Sequence, residues 1–315
     1  MSKTAFLFPG QGSQSVGMMS AIAAESGVVE ATFVEASEVL GYDLWDIAGN
    51  GPEERLGSTE VTQPALLAAG IATWRTWKSL GGSDPEFMAG HSLGEYTALV
   101  AAGALSFRDA IALVAQRGIL MQQATPAGTG AMAAVLGLED DVLAGVCEQA
   151  AQGQVVSCAN FNSPGQVVIA GEKEAVDRAC GLATEAGARR AIPLSVSVPS
   201  HCELMQPAAE KMEKVLADVE VKLPVIPVLH NVSTEISTTA DEVRSALVQQ
   251  LSQPVRWSAT MLKLVDGGVE RFAECGPGKV LAGLNRRISR QSETVALVSA
   301  PVLNETLENW SGPWN

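Results

Sequence analysis

The sequence lacks several features that would place the chain in a membrane, in a disulfide-rich class or on a nucleic acid. No uninterrupted apolar run approaches the roughly 20 residues that a membrane-crossing helix needs. The five cysteines are odd in number and scattered, without a C-x-x-C pair, which fits a reducing cytoplasm and no zinc site. A net charge of −14, with no basic stripe among aromatics, argues against general binding to nucleic acid or anionic membranes.

The residues that are present suit an α/β protein with a large core. Of the 315 residues, 47 % are hydrophobic and only 18 % are charged. The opening stretch TAFLFPGQGSQ predicts a buried strand that runs into a glycine-rich turn, rather than a signal peptide. A helix that opens at Gln63-Pro64 and a strand in PEFMAG follow.

A different pattern occupies residues 127–198 and predicts a small domain inserted into a larger one. A strand, a helix, two strands, a helix and a strand follow one another there, and RRAIPLSVS is the last strand. This β-α-β-β-α-β order is the ferredoxin-like split unit. Residues 1–126 and 199–315 therefore form the predicted large α/β domain.

Beyond the insert, the sequence predicts a helix over residues 202–219 and a strand in IPVLHNV. Further helices are expected over residues 239–251 and from Trp257, and ERFAECG predicts another strand. The last residues, from about Ala300, show little pattern.

The stretch FMAGHSLGEYTAL carries the pattern G-x-S-x-G around Ser92. With a strand before it and a helix after it, such a serine lies on a sharp turn and attacks an acyl carbon. Gly90 and Gly94 would let the strand and helix backbones approach, and the helix N-terminus would stabilise developing negative charge. The pattern alone does not separate lipases, thioesterases and acyl transferases, and a glycine-rich turn that merely contains a serine is the alternative.

A serine nucleophile needs a base, and the sequence offers three histidines. His91 should point away from the serine, because successive side chains at a strand end face opposite ways. His201 lies between a strand and a helix in SVSVPSHCELM and is the preferred base. His230, at the end of a strand, is the reserve, or a core histidine bonded to backbone.

Two backbone features would complete such a site. The N–H groups of Gln11, in the turn Gly10-Gln11-Gly12, and of Leu93 could together hold an oxyanion. A third triad acid is not evident in the sequence. A neutral group, such as a backbone carbonyl near Gln250, would suffice to orient the imidazole.

Arg117 shares a predicted helix face with the apolar residues Leu113, Val114 and Met121. A guanidinium in apolar surroundings stays charged and needs an anion. An Asp or Glu of the protein could supply it, or the planar fork could hold a substrate carboxylate. The second interpretation suits an enzyme for a dicarboxylic acyl chain.

With these residues in place, the chain resembles the malonyl-CoA:acyl-carrier-protein transacylase family of type II fatty acid synthesis. The matching stretches are FLFPGQGSQ, GHSLGEYTALVAAGALSFRDA, LVAQRGILMQQA, ANFNSPGQVVIAG, IPLSVSVPSHCELM, HNVS, QLSQPVRW and ECGPGKVL. They run in order across about residues 5–284, and the tail beyond about Ala300 falls outside them.

The resemblance implies an α/β-hydrolase-like large domain with a ferredoxin-like insert. The implied site residues are Ser92 as nucleophile, His201 as base, the N–H groups of Gln11 and Leu93 as oxyanion hole, Arg117 as the malonyl carboxylate's partner and the Gln250 carbonyl as orienter of the base. The implied mechanism is ping-pong: malonyl-CoA acylates the serine, coenzyme A leaves, and the carrier's phosphopantetheine thiol takes the malonyl group. No metal or bound redox cofactor is implied.

The expected partners are malonyl-CoA and acyl carrier protein, and we expect a cytoplasmic monomer. Because carrier proteins are acidic, the docking candidates are the basic residues Arg189, Arg190, Lys279, Arg286 and Arg287, with Arg290 nearby. Solvated helix ends are the alternative interpretation of these residues. Three other functions stay open: transfer of another extender such as methylmalonyl in polyketide synthesis, a serine hydrolase or thioesterase, and a non-catalytic carrier-binding module.

Overall fold

The computed structural model describes residues 2–126, 128–194 and 198–311. The strands are β1 (Lys3–Phe8), β2 (Phe87–Gly90), β3 (Gly130–Leu136), β4 (Val156–Ser163), β5 (Gln166–Glu172), β6 (Arg190–Pro193), β7 (Val228–Leu229), β8 (Val269–Glu274) and β9 (Glu293–Ala296). The helices are α1 (Ser20–Ala23), α2 (Gly27–Leu40), α3 (Leu44–Asn50), α4 (Glu53–Gly57), α5 (Thr59–Ser79), α6 (Leu93–Ala101), α7 (Phe107–Ala124), α8 (Asp140–Ala151), α9 (Lys173–Glu185), α10 (Gln206–Ala217), α11 (Ala240–Ser252), α12 (Trp257–Asp266), α13 (Val280–Ile288) and α14 (Ala300–Ser311), with a 3-10 turn at Glu203–Met205.

A parallel sheet of five strands, in the order β7-β2-β1-β8-β9, forms the centre of the fold. Its strand β1 sends alternate side chains to opposite faces. Phe6 and Phe8 pack into the large cluster on one face, and Ala5 and Leu7 pack with Trp257 on the other. Helices thus cover both faces, and the predicted α/β class is confirmed.

A second, antiparallel sheet has the order β4-β5-β3-β6 and carries α8 and α9. Its elements follow the predicted β-α-β-β-α-β order. The division into two domains stays a prediction, and its boundary residue 127 lies outside the described residues. The last predicted strand is shorter than expected and ends at Pro193; its residues 195–197 are also outside the described part of the chain.

Three predicted elements have other bounds in the structure. Helix α5 begins at Thr59, not at Gln63-Pro64, because burial along nearly its whole length outweighs the hydrogen bond that Pro64 cannot donate. The helix predicted over residues 202–219 is a 3-10 turn followed by α10. Strand β7 has only two residues, since the chain turns at once and the His230 N–H bonds the Glu235 carbonyl.

The C-terminal tail forms a helix that the sequence analysis did not predict. In α14, Leu303 is fully buried, and the apolar positions 303, 307 and 310 have helical spacing. The Trp310 ring lies edge-on to Phe6 and Trp77, with centroid distances of 6.5 and 6.3 Å. The tail therefore belongs to the core of the parallel sheet.

The turn between β2 and α6 depends on two glycines. A Cβ atom at Gly94 would overlap the carbonyl of Phe8, and one at Gly90 would overlap the backbone of Gly94. Strand β1, strand β2 and helix α6 therefore touch through their backbones, as the elbow interpretation of the sequence requires.

We predict that Gly94→Ala lowers the free energy of unfolding by about 3 kcal/mol or more, or prevents folding, because backbone atoms must move apart. Urea denaturation of purified protein measures the change. Gly145→Ala is the matched control: it lies on the exposed side of α8, its Cβ would meet no atom within 4 Å, and it should be neutral or slightly stabilising. Equal stability of the two variants would contradict the prediction.

Candidate active site

The site lies where the parallel strands end. The turn at Gln11 follows β1, Ser92 follows β2, and His230-Asn231 follow β7. Because the carboxyl ends of parallel strands meet at one edge of the sheet, these three segments are neighbours. Gly10 contacts the carbonyl of His91 so closely that a Cβ atom there would overlap it.

Ser92 has a strained backbone at the N-terminus of α6. Its φ of 52° and ψ of −110° lie in a region that a residue with a side chain rarely adopts. The Ser92 N–H donates to Asn231 Oδ1 at 2.7 Å, and the Ser92 carbonyl accepts from Gln250 Nε2 at 2.9 Å. Bonds to both backbone groups hold the strained conformation.

His201 contacts the serine hydroxyl directly. Ser92 Oγ lies 2.8 Å from His201 Nε2, and His201 Nδ1 lies 2.7 Å from the carbonyl oxygen of Gln250. A carbonyl can only accept, so Nδ1 carries the proton and the lone pair of Nε2 faces the hydroxyl. The structure thus brings together the two groups that the sequence analysis paired, with the Gln250 carbonyl behind them.

Burial disfavours the protonated form of His201. The side chain is 2 % exposed, and burial, together with the positive charge of Arg117, lowers the pKa of His201 to about 3. The imidazole is therefore neutral throughout the physiological range. It can accept the serine proton without first losing one of its own.

The Arg117 guanidinium lies beside the same hydroxyl, and its hydrogen-bond partners are neutral groups. Its Nη1 donates to Gln63 Oε1 at 2.8 Å, and its Nη2 donates to Gln250 Oε1 at 2.9 Å and to Ser92 Oγ at 3.3 Å. The ring of Tyr96 lies 5.4 Å from the guanidinium carbon, and burial raises the pKa of Tyr96 to about 12, so the phenol is neutral.

No carboxylate compensates this charge by an ion pair within residues 2–126, 128–194 and 198–311. Arg117 is 1 % exposed, and although burial lowers its pKa, a guanidinium remains protonated. Of the two interpretations left open by the sequence, the pairing with an Asp or Glu of the protein is thus not observed. The site holds an unpaired positive charge beside the serine.

The two backbone donors predicted for an oxyanion lie at this edge. Neither the Gln11 N–H nor the Leu93 N–H donates a hydrogen bond to any described residue. Leu93 begins α6, so its N–H belongs to the positive end of the helix dipole. Both groups are available to a ligand.

The other two histidines do not contact Ser92. His91 Nε2 lies 2.8 Å from Asn162 Oδ1 of β4, so its ring faces the antiparallel sheet, and it lies tilted against Trp257 with a centroid distance of 5.4 Å. His230, the reserve base, is buried, as its alternative interpretation as a core histidine expects, but its ring bonds side chains and not backbone. Its Nδ1 lies 2.6 Å from Glu95 Oε1, and its Nε2 lies 2.6 Å from Ser237 Oγ.

Four polar residues of the site were not found from the sequence: Gln63, Glu95, Asn162 and Asn231. Gln63, Asn162 and Asn231 have neutral amide side chains, and no sequence motif indicates a role for such residues. Glu95 had a signal, since a carboxylate within the largely apolar first half of α6 stands out.

Four of the predicted docking residues form one basic cluster. A cavity of about 720 Å³ between β3, β6 and α13 is lined by Leu136, Pro164, Gly165, Arg189, Arg190, Arg286, Arg287 and Arg290. Lys279, the fifth candidate, is not among its lining residues and lies at the N-terminus of α13. We call Arg189, Arg190, Arg286, Arg287 and Arg290 the arginine cluster.

Within the part of the chain that the structure describes, no group of three or more His, Cys, Asp or Glu side chains could hold a metal ion. None of the helices in the described ranges is long and apolar enough to cross a membrane.

Comparison with known proteins gives matches over nearly the whole chain. The acyl transferase domain family matches residues 5–309, which includes most of the tail. The malonyl CoA-acyl carrier protein transacylase of Escherichia coli K12 is 54 % identical over 305 residues, covering 97 % of both chains. The protein of that name in Bacillus subtilis is 47 % identical over 309 residues, covering 98 % of this chain and 96 % of the relative.

Solved structures also match this chain over nearly its whole length. The malonyl CoA-acyl carrier protein transacylase of Coxiella burnetii superposes with a TM-score of 0.98 at 48 % identity, covering 99 % of this chain and 98 % of that one. A malonyl-transacylase in complex with its type II PKS acyl-carrier protein gives a TM-score of 0.97 at 54 % identity, covering 98 % and 100 %.

The low pKa of His201 predicts the pH dependence of serine reactivity. Labelling of Ser92 by a fluorophosphonate should stay nearly constant from pH 8 to pH 5, because the base is neutral above about pH 4. An ordinary imidazole, with a pKa near 6.5, would be about 97 % protonated at pH 5 and the rate would fall accordingly. Stopped-time labelling followed by intact mass spectrometry measures the rate.

Two variants control this experiment. His201→Ala should abolish labelling at every pH. Arg117→Gln removes the charge that lowers the pKa of His201, so the acid limb should move to higher pH. A wild-type rate that is half-maximal near pH 6.5 would show that the pKa of the base is not lowered.

Proposed function

The chain belongs to the acyl transferase domain family, and we propose that it moves a malonyl group from malonyl-CoA to the phosphopantetheine thiol of acyl carrier protein through a malonyl-Ser92 intermediate, in fatty acid biosynthesis. The observation that carries this proposal is the buried guanidinium of Arg117, which lies 3.3 Å from the Ser92 hydroxyl and has only neutral partners.

In the first half-reaction, His201 Nε2 accepts the proton of Ser92 Oγ as the oxygen attacks the thioester carbonyl. The N–H groups of Gln11 and Leu93 bind the oxyanion of the tetrahedral intermediate. When the C–S bond breaks, the imidazolium returns its proton to the sulfur, and coenzyme A leaves as the thiol. The Gln250 carbonyl keeps the imidazole in the required tautomer throughout.

The second half-reaction runs the same steps with a different thiol. The phosphopantetheine thiol of the carrier gives its proton to His201 and attacks the ester carbon of malonyl-Ser92. The tetrahedral intermediate collapses, the serine oxygen leaves, and His201 protonates it. The products are the free serine and a new thioester, so the free energy of the thioester bond is conserved.

Arg117 selects the acyl group by its charge. A buried charge without a direct ion pair is costly, since the carboxylate of Glu95 acts on Arg117 only across Gln250. A carboxylate three carbons from the coenzyme A sulfur would relieve that cost through two parallel hydrogen bonds. An acetyl group has no carboxylate and cannot compensate the charge of Arg117. The arrangement therefore favours acyl chains that end in a carboxylate.

The bound carboxylate would also act on the base. The positive charge of Arg117 is one cause of the low pKa of His201. A malonyl carboxylate that compensates this charge raises the pKa of His201 toward its ordinary value. The imidazolium that forms in each step then has a lower free energy, so a substrate with a carboxylate also makes His201 a stronger base.

A serine hydrolase would use the same nucleophile and base. Two features favour a transferase. His201 is oriented by a carbonyl and not by the carboxylate of the usual hydrolase triad, and release of a simple fatty acid has no use for the charge of Arg117 beside Ser92. A non-catalytic carrier-binding module has no use for the Ser92–His201 contact. The likeness to the transacylase in complex with a type II PKS carrier makes a polyketide carrier the second candidate acceptor.

We place the carrier at the arginine cluster. Its five guanidinium groups stand out on a chain with a net charge of −14, and carrier proteins are acidic. The cluster lies between the antiparallel sheet and α13, and Arg287 Nη1 bonds Gln166 across that gap at 2.8 Å. The cytoplasmic location, the monomeric state and the use of coenzyme A only as a substrate thioester, without a resident cofactor, stay predictions.

We predict that Arg117→Ala lowers kcat/KM for malonyl-CoA by about 100-fold, because a bidentate charged contact worth about 3 kcal/mol is lost. Acetyl loading should persist or rise, since the acetyl group never used the guanidinium. Intact mass spectrometry of the Ser92 adduct, with each acyl-CoA separately, measures both reactions.

Ser92→Ala is the control that should abolish both adducts. An equal loss with malonyl-CoA and acetyl-CoA in Arg117→Ala would contradict the carboxylate-binding role. Without carrier protein, the malonyl adduct on the wild-type enzyme should outlast many turnovers. Its rapid hydrolysis would favour the hydrolase.

We predict that reversing two charges of the arginine cluster, in Arg286→Glu with Arg287→Glu, raises KM for acyl carrier protein about tenfold or more. The rate with the small thiol acceptor pantetheine should not change, because the variant leaves the serine site intact. Steady-state transfer assays at low ionic strength measure both acceptors. Lys211→Glu, an exposed residue on α10 outside the cluster, is a control for charge reversal, and an equal effect there would contradict the docking site.

A further inference from the structure

A buried carboxylate, Glu95, lies beneath the nucleophile and takes no part in the steps above. It lies in the first turn of α6 and has no exposed surface. Its Oε1 accepts from His230 Nδ1 at 2.6 Å, and its Oε2 accepts from the Asn231 N–H at 3.0 Å and from Gln250 Nε2 at 2.8 Å. The carboxylate of Glu95 thus contacts the buried imidazole of His230, the backbone amide of Asn231 and the side-chain amide of Gln250.

The contact with Glu95 is one of three that determine which way the side-chain amide of Gln250 points. Gln250 Nε2 donates to Glu95 and to the Ser92 carbonyl, so Gln250 Oε1 is turned toward Arg117 and accepts from Nη2. In the flipped amide, the oxygen would face the carboxylate of Glu95 and the NH₂ group would face the guanidinium. Both contacts would be repulsive, since a carboxylate only accepts and a guanidinium only donates.

Glu95 acts on Ser92 by a second route. It accepts the backbone N–H of Asn231, whose side chain accepts the N–H of Ser92 and donates to the Gly90 carbonyl. Asn231 and Gln250 therefore hold both backbone groups of the strained serine, and Glu95 bonds to each of them. The same Gln250 also orients His201 through its carbonyl.

We propose that Glu95 is a positioning residue that sets the orientation of the Gln250 amide and thereby holds the Arg117 guanidinium where it binds the carboxylate of the acyl group. The inference rests on the proposed function, because it assigns the selectivity of that site to a residue that does not touch the substrate. Glu95 contacts neither Arg117 nor the reacting atoms; it works through Gln250.

The test is Glu95→Gln, measured as the ratio of kcat/KM for malonyl-CoA to that for acetyl-CoA. A neutral amide at position 95 can present either its oxygen or its NH₂ group to Gln250, so the Gln250 amide loses the charged contact that helps to fix its orientation and keeps only those with the Ser92 carbonyl and Arg117. The ratio should fall about tenfold, the scale of one lost hydrogen bond to a charged group. A merely structural role would lower both rates alike and leave the ratio unchanged, which would overturn the inference.

Thr97→Val is the matched control on the same helix. Thr97 is 1 % exposed, and its hydroxyl has no hydrogen-bond partner in the described residues, so the substitution removes no contact of the site. Its selectivity ratio should equal that of the wild type. A tenfold fall in this variant too would assign the effect to packing of α6 and overturn the inference.

A double-mutant cycle tests the route through Gln250. Gln250→Leu removes the amide but keeps the backbone carbonyl that His201 needs. In that background, Glu95→Gln should leave the selectivity ratio unchanged, because the group through which it acts is already gone. A further tenfold fall there would mean that Glu95 acts by another path.

If Glu95→Gln does not fold, Glu95→Asp provides the same test, since it moves the carboxylate away from Gln250 by one methylene. A folded Glu95→Asp protein should show a smaller fall in the ratio, and an unchanged ratio would overturn the inference. Failure of the proposed function would look different: the wild-type enzyme itself would then show no preference for malonyl-CoA.

Discussion

The backbone contact between β1, β2 and the start of α6 is the constraint on which the rest of the site depends. It exists only because Gly90 and Gly94 have no side chains, and it forces Ser92 into a φ of 52° at the helix N-terminus. Two side chains from other segments contact the hydroxyl that this turn presents. His201 reaches it from the loop before α10, and Arg117 reaches it from α7. A shift of the turn would separate all of them at once.

Electrostatics explains why the site is not that of a general esterase. A positive charge is buried beside the nucleophile with amides, a hydroxyl and a phenol ring around it, and the base next to it has a pKa of about 3. Both features are unfavourable for the empty protein. A carboxylate bound at Arg117 relieves the first feature, and of the second it relieves the part that the Arg117 charge adds to burial. In the proposed mechanism, specificity and activation thus come from a single charge, and the Gln250 amide keeps that charge in place.

Most of the chemistry could be predicted from the sequence because it is carried by local patterns. The G-x-S-x-G pattern with its flanking strand and helix predicted the serine turn, and apolar spacing around Arg117 predicted its burial. The same kind of reasoning failed where the pattern was short or the neighbours were distant. It started α5 at Pro64 instead of Thr59 and missed α14, although positions 303, 307 and 310 have helical spacing. It also left His230 open between a reserve base and a core histidine bonded to backbone, since nothing in the sequence places that ring near Glu95.

By itself, the sequence determined the α/β class, the nucleophile turn and the few titratable groups from which a site could be built, because backbone geometry and helix periodicity act over a few residues. Only the tertiary structure decided what surrounds each of them. Residues 63, 95, 117, 201, 231 and 250 come from six separate segments, and their hydrogen bonds join positions up to 158 residues apart. Whether a buried arginine meets a carboxylate or an amide depends on which segments the fold packs together. That packing left Arg117 with neutral partners and therefore open to an anion.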